Sequence, residues 1–473
     1  MKPKIMIYGR NQLAKRLSLD LGAYTGIPVY AIGVCMLLIK VFYLLIIDEQ
    51  LPEDYMLWTF HKDVHFEKVP FELFFFFVAL FTYLKLYKRN FFGIFMTLVF
   101  VISFVPANSG LSLSNDSYDF YILNNLYAYF LIMVTGLLCV RYKQTGEIKG
   151  FDINNVFSRK KNLNTFRVFL LLFVGIVLYR VYLINGLDIG KIFVSQMYDV
   201  RAEYAETYSS QTNTMFSYLS IIIGSFSSWF VPIYLYISIR RKMTIDIIVG
   251  LFVLLALFSV SMQKSTLFIL VVVVYVAWAS KKQWLSSFAE HFIYAIAALF
   301  IISFIEYSLY GESIIFSMVI RRIFYVPNYM INIHYEFFSD HPKLGFTQDC
   351  FFVQNILQRI VPREYAFESV KVISENCFDG LLPAPNAGLF AEAFAQLGII
   401  GLFVFPFIHI GIVRYVVKYT SWYGMGISII ILVKLYLSMM SVYILASAYS
   451  VGILIFIFTS IFIKKVIVKP TIR

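Results

Sequence analysis

The sequence predicts an all-α protein that crosses a membrane about twelve times. Of its 473 residues 60% are hydrophobic and only 14% are charged, whereas soluble domains are about a quarter charged. Apolar segments of about 20 residues recur along the chain, which is the length that a helix needs to cross the hydrocarbon core. Basic residues cluster in every second connection between these segments. Together these observations indicate a single polytopic membrane domain over 1–473.

Twelve segments are long and apolar enough to be spans. They lie at 28–47, 69–87, 91–107, 119–140, 166–184, 215–239, 244–261, 264–280, 288–305, 389–413, 423–446 and 448–463. No internal repeat relates one half of the chain to the other.

The distribution of charge predicts the orientation. Lysines and arginines are concentrated near the amino terminus, in connections such as "KLYKRN" and "RRK", and in the tail "KKVIVKPTIR". The intervening connections, such as "DEQLPEDYMLWTFHKD" and "NSGLSLSNDS", are acidic or neutral. Positive charge marks the cytoplasmic side of a membrane protein, so with twelve spans both termini are predicted in the cytoplasm. The same basic connections account for the net charge of +12. We therefore expect no nucleic acid as a partner.

Two predicted extracytoplasmic loops are large, over 185–214 and 306–388. The second is long enough to hold helices of its own. Within it "SIIFSMVIRRIFYVPNYMINIHYEFFSD" is predicted to be helical, with a kink or break near Pro327. On a 3.6-residue period one face of this helix is polar, and its members are Arg321, Tyr325, Asn328, Asn332 and Glu336.

A carboxylate inside an apolar segment is the least expected feature of the sequence. In "PAPNAGLFAEAFAQLGIIG" Asn386 is suited to cap a helix that begins near Ala387, and Glu392 and Gln396 follow one turn apart on one side. A carboxylate at membrane depth costs about 2–3 kcal/mol, so it needs a partner or water. Two interpretations stay open: an interhelical salt bridge or hydrogen bond, and a base at the mouth of an outward-facing cavity. His409, in the tenth span, is predicted to form an interhelical hydrogen bond.

Four cations are predicted at the outer membrane surface: Arg201, Lys264, Arg321 and Arg322. An arginine fork matches phosphate oxygens and a lysine adds a compact charge, so several converging cations can bind a pyrophosphate without a metal. For any single one, the competing interpretation is a surface charge that meets lipid headgroups. For Lys264 the position favours a functional role over a surface charge, because the residue lies between two spans on the side where positive charge is disfavoured.

The histidines and cysteines are less specific. His334 and His341 lie in the long loop, where either can take a proton. Cys350 and Cys377 share that loop, and the sequence leaves open whether they form a disulfide. The sequence contains no phosphate-binding loop, zinc-binding motif or nucleophile-elbow motif. We therefore expect no nucleotide hydrolysis, no metal site and no cofactor.

Four stretches follow one another in a characteristic order: "YDVRAEY", "QKSTLF" after a span, "RRIFYVPNYMINIHYEFFS" and "NAGLFAEAFAQLGIIG". Together they resemble the bacterial oligosaccharide repeat-unit polymerases, the Wzy-type enzymes of O-antigen and capsule assembly. The resemblance covers roughly 195–405 and includes the many-span layout with a large external loop before the last helices. His334 departs from it, because an aromatic residue is expected there, and this argues against His334 as a shared catalytic base.

The resemblance implies a membrane-embedded glycosyltransferase of the GT-C type in the bacterial plasma membrane. Such an enzyme joins polyprenyl-pyrophosphate-linked oligosaccharides on the outer side and moves the growing glycan onto the incoming unit. A flippase and a chain-length regulator are the protein partners that the family implies, beside membrane lipids.

The resemblance also assigns expected roles to residues of this chain. Arg201, Lys264 and Arg322 are expected to contact the pyrophosphate, with Arg321 as the alternative to Arg322. The proton of the acceptor hydroxyl is expected to pass to a carboxylate or a histidine. Glu392 with Asn386 carries over from the family's closing motif. With the residues singled out by the sequence itself, the proposed site consists of Glu392 and His341 as proton acceptors and Asn386 and Gln396 as substrate contacts.

Three other functions stay open. A transferase that uses polyprenyl-monophosphate sugars would rely on acidic residues of the first external loop, where "DEQLPED" supplies Asp48 and Glu49. An O-antigen ligase shares the predicted topology and chemistry. A flippase for the same lipid-linked sugar also fits twelve spans, although the long external loop and the lack of visible symmetry between halves argue against it.

Overall fold

A computed structural model describes the chain in segments. The described residues are 26–47, 66–113, 117–142, 167, 175, 229–261, 264–345, 364–365, 369–378, 388–441 and 443. Every regular element within these residues is helical, so the all-α prediction is confirmed for them. The loop predicted over 185–214, the span over 448–463 and all but two residues of the span over 166–184 lie outside them.

The helices of the described residues are numbered in chain order. They are α1 Val29–Ile47, α2 Val69–Leu86, α3 Phe91–Gly110, α4 Tyr118–Arg141, α5 229–241, α6 Thr244–Ser261, α7 Lys264–Lys281, α8 Phe288–Tyr310, α9 Val326–Asp340, α10 Ser369–Cys377, α11 Gly388–Leu397, α12 Ile399–Thr420 and α13 Met425–Ser441. Part of α3 is π-helical, Val99–Phe104, and a second π-helical segment, Phe316–Tyr325, leads directly into α9.

Several helices are suited to a bilayer by length and composition. In the described chain five are long and apolar enough to cross a membrane: Phe66–Leu86, Phe91–Gly110, Tyr118–Arg141, Leu285–Tyr310 and Ile399–Thr420. The described parts of α1, α6, α7 and α13 include shorter apolar helices. The chain is therefore a membrane protein.

Helix ends coincide with capping signals in the sequence. The Asn90 side chain accepts a hydrogen bond from the Gly93 N–H at 3.0 Å and begins α3, and Ser117 accepts one from the Phe120 N–H at 3.2 Å and begins α4. Gly311, with φ of +74°, ends α8 in the left-handed conformation that glycine adopts without strain. The predicted starts of α3 and α4, at 91 and 119, lie within one residue of the observed ones, whereas the predicted end of α8, at 305, lies five residues before Tyr310.

The described chain divides into two compact units. The first comprises Met1–Tyr142 with Ser286–Asn328, and the second comprises Lys143–Leu285 with Tyr329–Arg473. Helices α1–α4 and α8 and the second π-helical segment belong to the first unit. Helices α5–α7, α10–α13 and most of α9 belong to the second.

In the first unit α3 is surrounded by protein. Its side chains are almost all buried although it is apolar enough to face lipid. By contrast α2 exposes Phe74, Phe77 and Phe81 to more than 60% each. The ring of Tyr83 on the other side of α2 stacks on Phe100 of α3 at 4.7 Å. A helix that is apolar on all sides thus forms the core, and its neighbour presents an apolar stripe to the surroundings.

A buried carboxylate of the first unit, that of Glu72, has a lysine as its partner. Glu72 of α2 has no exposed surface, and the Lys40 ammonium of α1 lies 2.5 Å from its carboxylate. The Asn108 amide donates to the backbone carbonyl of Glu72 at 3.0 Å, and Tyr121 of α4 donates to the Asn108 side chain at 2.9 Å. An unpaired buried carboxylate is costly, so Glu72 needs the Lys40 ammonium as its partner. Together these contacts connect helices α1, α2, α3 and α4.

In the second unit α13 is the enclosed helix. From Gly426 to Met440 every residue except Leu437 is buried. Helix α12 has one exposed apolar face, formed by residues such as Ile400, Phe403 and Phe407. We interpret this face as the part of the second unit that meets lipid.

One predicted span differs from the structure. The segment 389–413 is two helices, because Gly398 has φ of +60° and breaks the chain between α11 and α12. Only glycine adopts this left-handed conformation at low cost. The chain is not broken near Pro327: the π-helical segment Phe316–Tyr325 continues directly into α9, and Pro327 is the second residue of α9.

Candidate functional site

Helix α11 folds back against α12 at Gly398. Oε2 of Glu392 lies 3.3 Å from Nε2 of His409, seventeen residues later in the chain. In one continuous helix those residues would be separated by about 25 Å. The chain therefore reverses at Gly398 and forms a helical hairpin, which we call the α11–α12 hairpin.

The two arms of the hairpin are in backbone contact. A Cβ atom placed on Gly401 of α12 would lie 1.9 Å from the carbonyl oxygen of Ala393 on α11. No real Cβ contact is that short, so the arms can approach this closely only because residue 401 is glycine.

The carboxylate and the imidazole of the hairpin are completely enclosed. Neither Glu392 nor His409 has any exposed surface, and Gln396, one turn after Glu392, has none either. The interhelical hydrogen bond predicted for His409 is confirmed, and Glu392 is its partner. Of the two interpretations of Glu392, the interhelical contact describes its position, and its role as a base stays a proposal.

Helix α9 packs alongside α11. A Cβ atom on Gly388 would lie 2.8 Å from the side chain of Ile331, and the ring of Tyr335 lies 4.8 Å from the ring of Phe394. Contacts thus advance along both helices in the same direction. Two of the stretches singled out in the sequence, "NYMINIHYEFFS" and "GLFAEAFAQLG", are therefore neighbours in the second unit.

The segment after α9 closes the end of α11. The N–H groups of Leu344 and Gly345 donate to the carbonyls of Ala395 and Gln396 at 2.9 and 3.0 Å. They satisfy carbonyls that have no partner within a helix that ends there. We call this contact the hinge corner, and it comprises residues 341–345 and 394–398.

Two histidines of this region make the same backbone contact in different surroundings. Nδ1 of His334 lies 2.7 Å from the carbonyl oxygen of Met330, and Nδ1 of His341 lies 2.8 Å from that of Phe337. A carbonyl only accepts, so Nδ1 carries the proton and Nε2 of the neutral ring is the acceptor. His334 is buried against Tyr443, and burial lowers its pKa to about 4. His341 is exposed and stacks on Phe337.

Lys343 is a cation of the hinge corner that the sequence did not single out. Its ammonium lies 4.9 Å from the centre of the Phe394 ring, and its Cε lies 3.2 Å from where a Cβ on Gly398 would be. The side chain is half-buried. Burial lowers the pKa of Lys343, and the charge of Asp340 opposes that effect. A lysine in the middle of a loop has no sequence signal that distinguishes it, because its position depends on tertiary contacts.

The predicted phosphate-binding cations lie partly outside the described chain. In the first unit Arg321 is buried and Arg322 half-buried on the π-helical segment, a distortion that is frequent at functional sites. Arg201 and Asn386 lie outside the described residues, and Lys264 is described only as the first residue of α7. Convergence of the four cations on one pyrophosphate stays a prediction.

Of the two cysteines for which a disulfide was left open, only one lies within the described residues. Cys377, in α10, is exposed and carries a free thiol. Cys350 lies outside the described residues.

No protein family, curated protein or solved structure matches this chain. The resemblance noted above rests on the quoted residues.

Proposed function

We propose that the protein is a polysaccharide polymerase that joins polyprenyl-pyrophosphate-linked oligosaccharides on the outer side of the bacterial plasma membrane. The observation that supports this most directly is the packing of α9 along α11 through Ile331 and Gly388. These helices carry two stretches of the resemblance that are far apart in the chain. Residues of both stretches can contribute to one substrate site only if the two helices are neighbours, and their contact meets this requirement.

The proposed architecture is a GT-C-like bundle of about twelve spans with both termini in the cytoplasm. The five candidate spans of the described chain and its all-helical content are consistent with this architecture. A lipid-pyrophosphate donor carries its own activation, which is consistent with a sequence that lacks nucleotide-binding motifs.

The proposed reaction is a displacement at an anomeric carbon. A hydroxyl at the nonreducing end of the incoming unit attacks the anomeric carbon of the growing glycan, and its proton passes to a base. The bond from that carbon to the pyrophosphate oxygen breaks, and its electron pair leaves with the polyprenyl pyrophosphate. Positioned cations stabilise the leaving charge at the low-dielectric membrane surface. Arg201, Lys264 and Arg322 are the proposed cations, with Arg321 as the alternative.

Two side chains are proposed as proton acceptors, and their surroundings differ. His341 is exposed, and its Nδ1 is held by the Phe337 carbonyl, so Nε2 is the ring nitrogen left to accept a proton. Glu392 is enclosed and paired with His409, so it would act only after the α11–α12 hairpin opened. Geometry thus favours His341 as the base and Glu392 as the residue that holds the hairpin. Asn386 and Gln396 stay proposed substrate contacts.

The test is polymerisation by the purified full-length protein in detergent. A polyprenyl-pyrophosphate oligosaccharide is added, and the products are separated by size. Longer glycans still attached to the lipid carrier are expected, and because detergent has no compartments this result excludes pure transport. Transfer only onto a lipid A core acceptor would instead identify a ligase, and no transfer at all would reject the proposal.

The same assay tests the proposed cations one at a time. Arg201→Ala, Lys264→Ala and Arg322→Ala are each expected to lower polymer yield at least about tenfold, because each removes a charge-assisted contact to the leaving group. Arg414→Ala, near the other end of α12 and predicted to be cytoplasmic, is the matched control and should retain full yield. Full-length polymer from all three variants would reject the pyrophosphate assignment.

A further inference from the structure

We propose that Lys343 binds the phosphate headgroup of the polyprenyl-linked substrate where α12 enters the membrane. The isoprenoid chain then lies along the exposed apolar face of α12. This inference rests on the proposed function and adds a residue and a location for the lipid carrier.

The Lys343 ammonium is not needed to cap α11. Lysines near a helix end often serve its last carbonyls. Here the carbonyls of Ala395 and Gln396 accept from backbone N–H groups of the hinge corner, and the carbonyl of Phe394 accepts from the Gly398 N–H at 2.7 Å. Within the described residues these three carbonyls are therefore served by backbone N–H groups, without the Lys343 ammonium.

The charge of Lys343 is partly desolvated and has no close counter-ion within the described residues. The salt bridges of these residues involve other cations, and Asp340 acts on Lys343 only as a nearby charge. Burial of part of the side chain lowers the pKa of Lys343, because it removes some of the water around the charge. An anion beside a partly desolvated cation is attracted more strongly than it would be in bulk water.

The place of Lys343 matches an amphipathic anion. Its side chain crosses the hinge at Gly398, directly before the first residue of the candidate span. From that point α12 exposes Ile399, Ile400 and Phe403 to 58–68%. A molecule with a phosphate at one end and a long apolar chain at the other complements both features. His341, two residues from Lys343, would then lie beside the activated end of the bound substrate.

The binding test uses the full-length protein in detergent and undecaprenyl phosphate as the probe. Lys343→Gln should weaken binding about tenfold, the effect of one charge-assisted contact, whereas Lys343→Arg should retain affinity within about threefold. Lys418→Gln is the matched control, because the Lys418 ammonium lies 5.5 Å from the Tyr419 ring at the opposite end of α12. Phosphatidylglycerol at equal concentration should not displace the probe.

Each outcome decides the inference. Equal affinity of Lys343→Gln and the wild type overturns it, as does displacement of the probe by phosphatidylglycerol, which would mark a site for bulk anionic lipid. If Lys343→Gln fails to fold, Lys343→Met keeps the apolar stem across Gly398 and removes only the charge. Binding needs no turnover, so a wild type that binds through Lys343 and yet makes no polymer rejects the proposed function alone. Polymerisation with unchanged lipid affinity in Lys343→Gln rejects this inference alone.

Discussion

Glu392 and His409 are seventeen residues apart in the chain, and their side chains meet at 3.3 Å with no exposed surface on either. This contact joins the two arms of the α11–α12 hairpin. A carboxylate with no exposed surface needs partners within the protein, and His409 supplies one. Glu392 reaches this partner only because the chain reverses at Gly398.

Removing one partner of this pair should be more harmful than removing both. His409→Leu removes the imidazole partner of the buried carboxylate and should cost about 1–3 kcal/mol of stability. The double variant with Glu392→Leu removes the charge as well, so its loss should be smaller than the sum of the two single losses. Unfolding of the purified variants in detergent measures these values, with Phe407→Leu on the exposed face of α12 as the control. Additive losses would show that the two side chains are not energetically coupled.

Local signals in the sequence account for much of the fold. Asn90 and Ser117 each carry a capping property that acts within one turn, and the helix starts they mark were predicted to within one residue. The end of α8 at Gly311 was predicted five residues too early, because hydropathy and not the glycine set that boundary. Glu392 was identified because a carboxylate in an apolar segment has few stable surroundings. Its pairing was predicted only as far as an interhelical contact, since the partner depends on how the chain folds back.

The break at Gly398 could not be predicted from hydropathy. Helix α11 is buried by protein and α12 is partly exposed, yet both environments select the same apolar side chains. A run of such residues therefore resembles one long span. The signal that could have indicated the break is Gly398 followed three residues later by Gly401. The first residue is suited to left-handed backbone, and the second permits close contact between two helices.

Close contact between the hairpin arms predicts opposite effects for two glycines of α12. Gly401→Ala would place a Cβ 1.9 Å from the Ala393 carbonyl oxygen, so the arms must separate at a cost of about 1–3 kcal/mol. Gly411→Ala, on the same helix, meets nothing within 4 Å and should be neutral or stabilising by up to about 1 kcal/mol. Thermal unfolding in detergent compares them. Equal midpoints for the two variants would contradict the packing described for the hairpin.

Burial of His334 predicts acid sensitivity with a defined sign. Its pKa is lowered from the usual 6.5 to about 4, because the buried imidazole resists charging. Between these values the unfolded chain binds a proton that the folded protein does not. Stability is therefore full above pH 6.5 and falls as the pH drops toward 4, by up to about 3 kcal/mol.

His334→Phe should remove this part of the acid sensitivity, because phenylalanine can keep the ring contact with Tyr443 and has no titrating nitrogen. Unfolding midpoints of the wild type and the variant, measured at pH 7.5 and pH 5, isolate the contribution of His334 as the difference between their pH-dependent losses. His341→Gln removes an exposed imidazole from the end of the same helix and serves as the control. If His334→Phe loses as much stability on acidification as the wild type, the imidazole is not held neutral by burial.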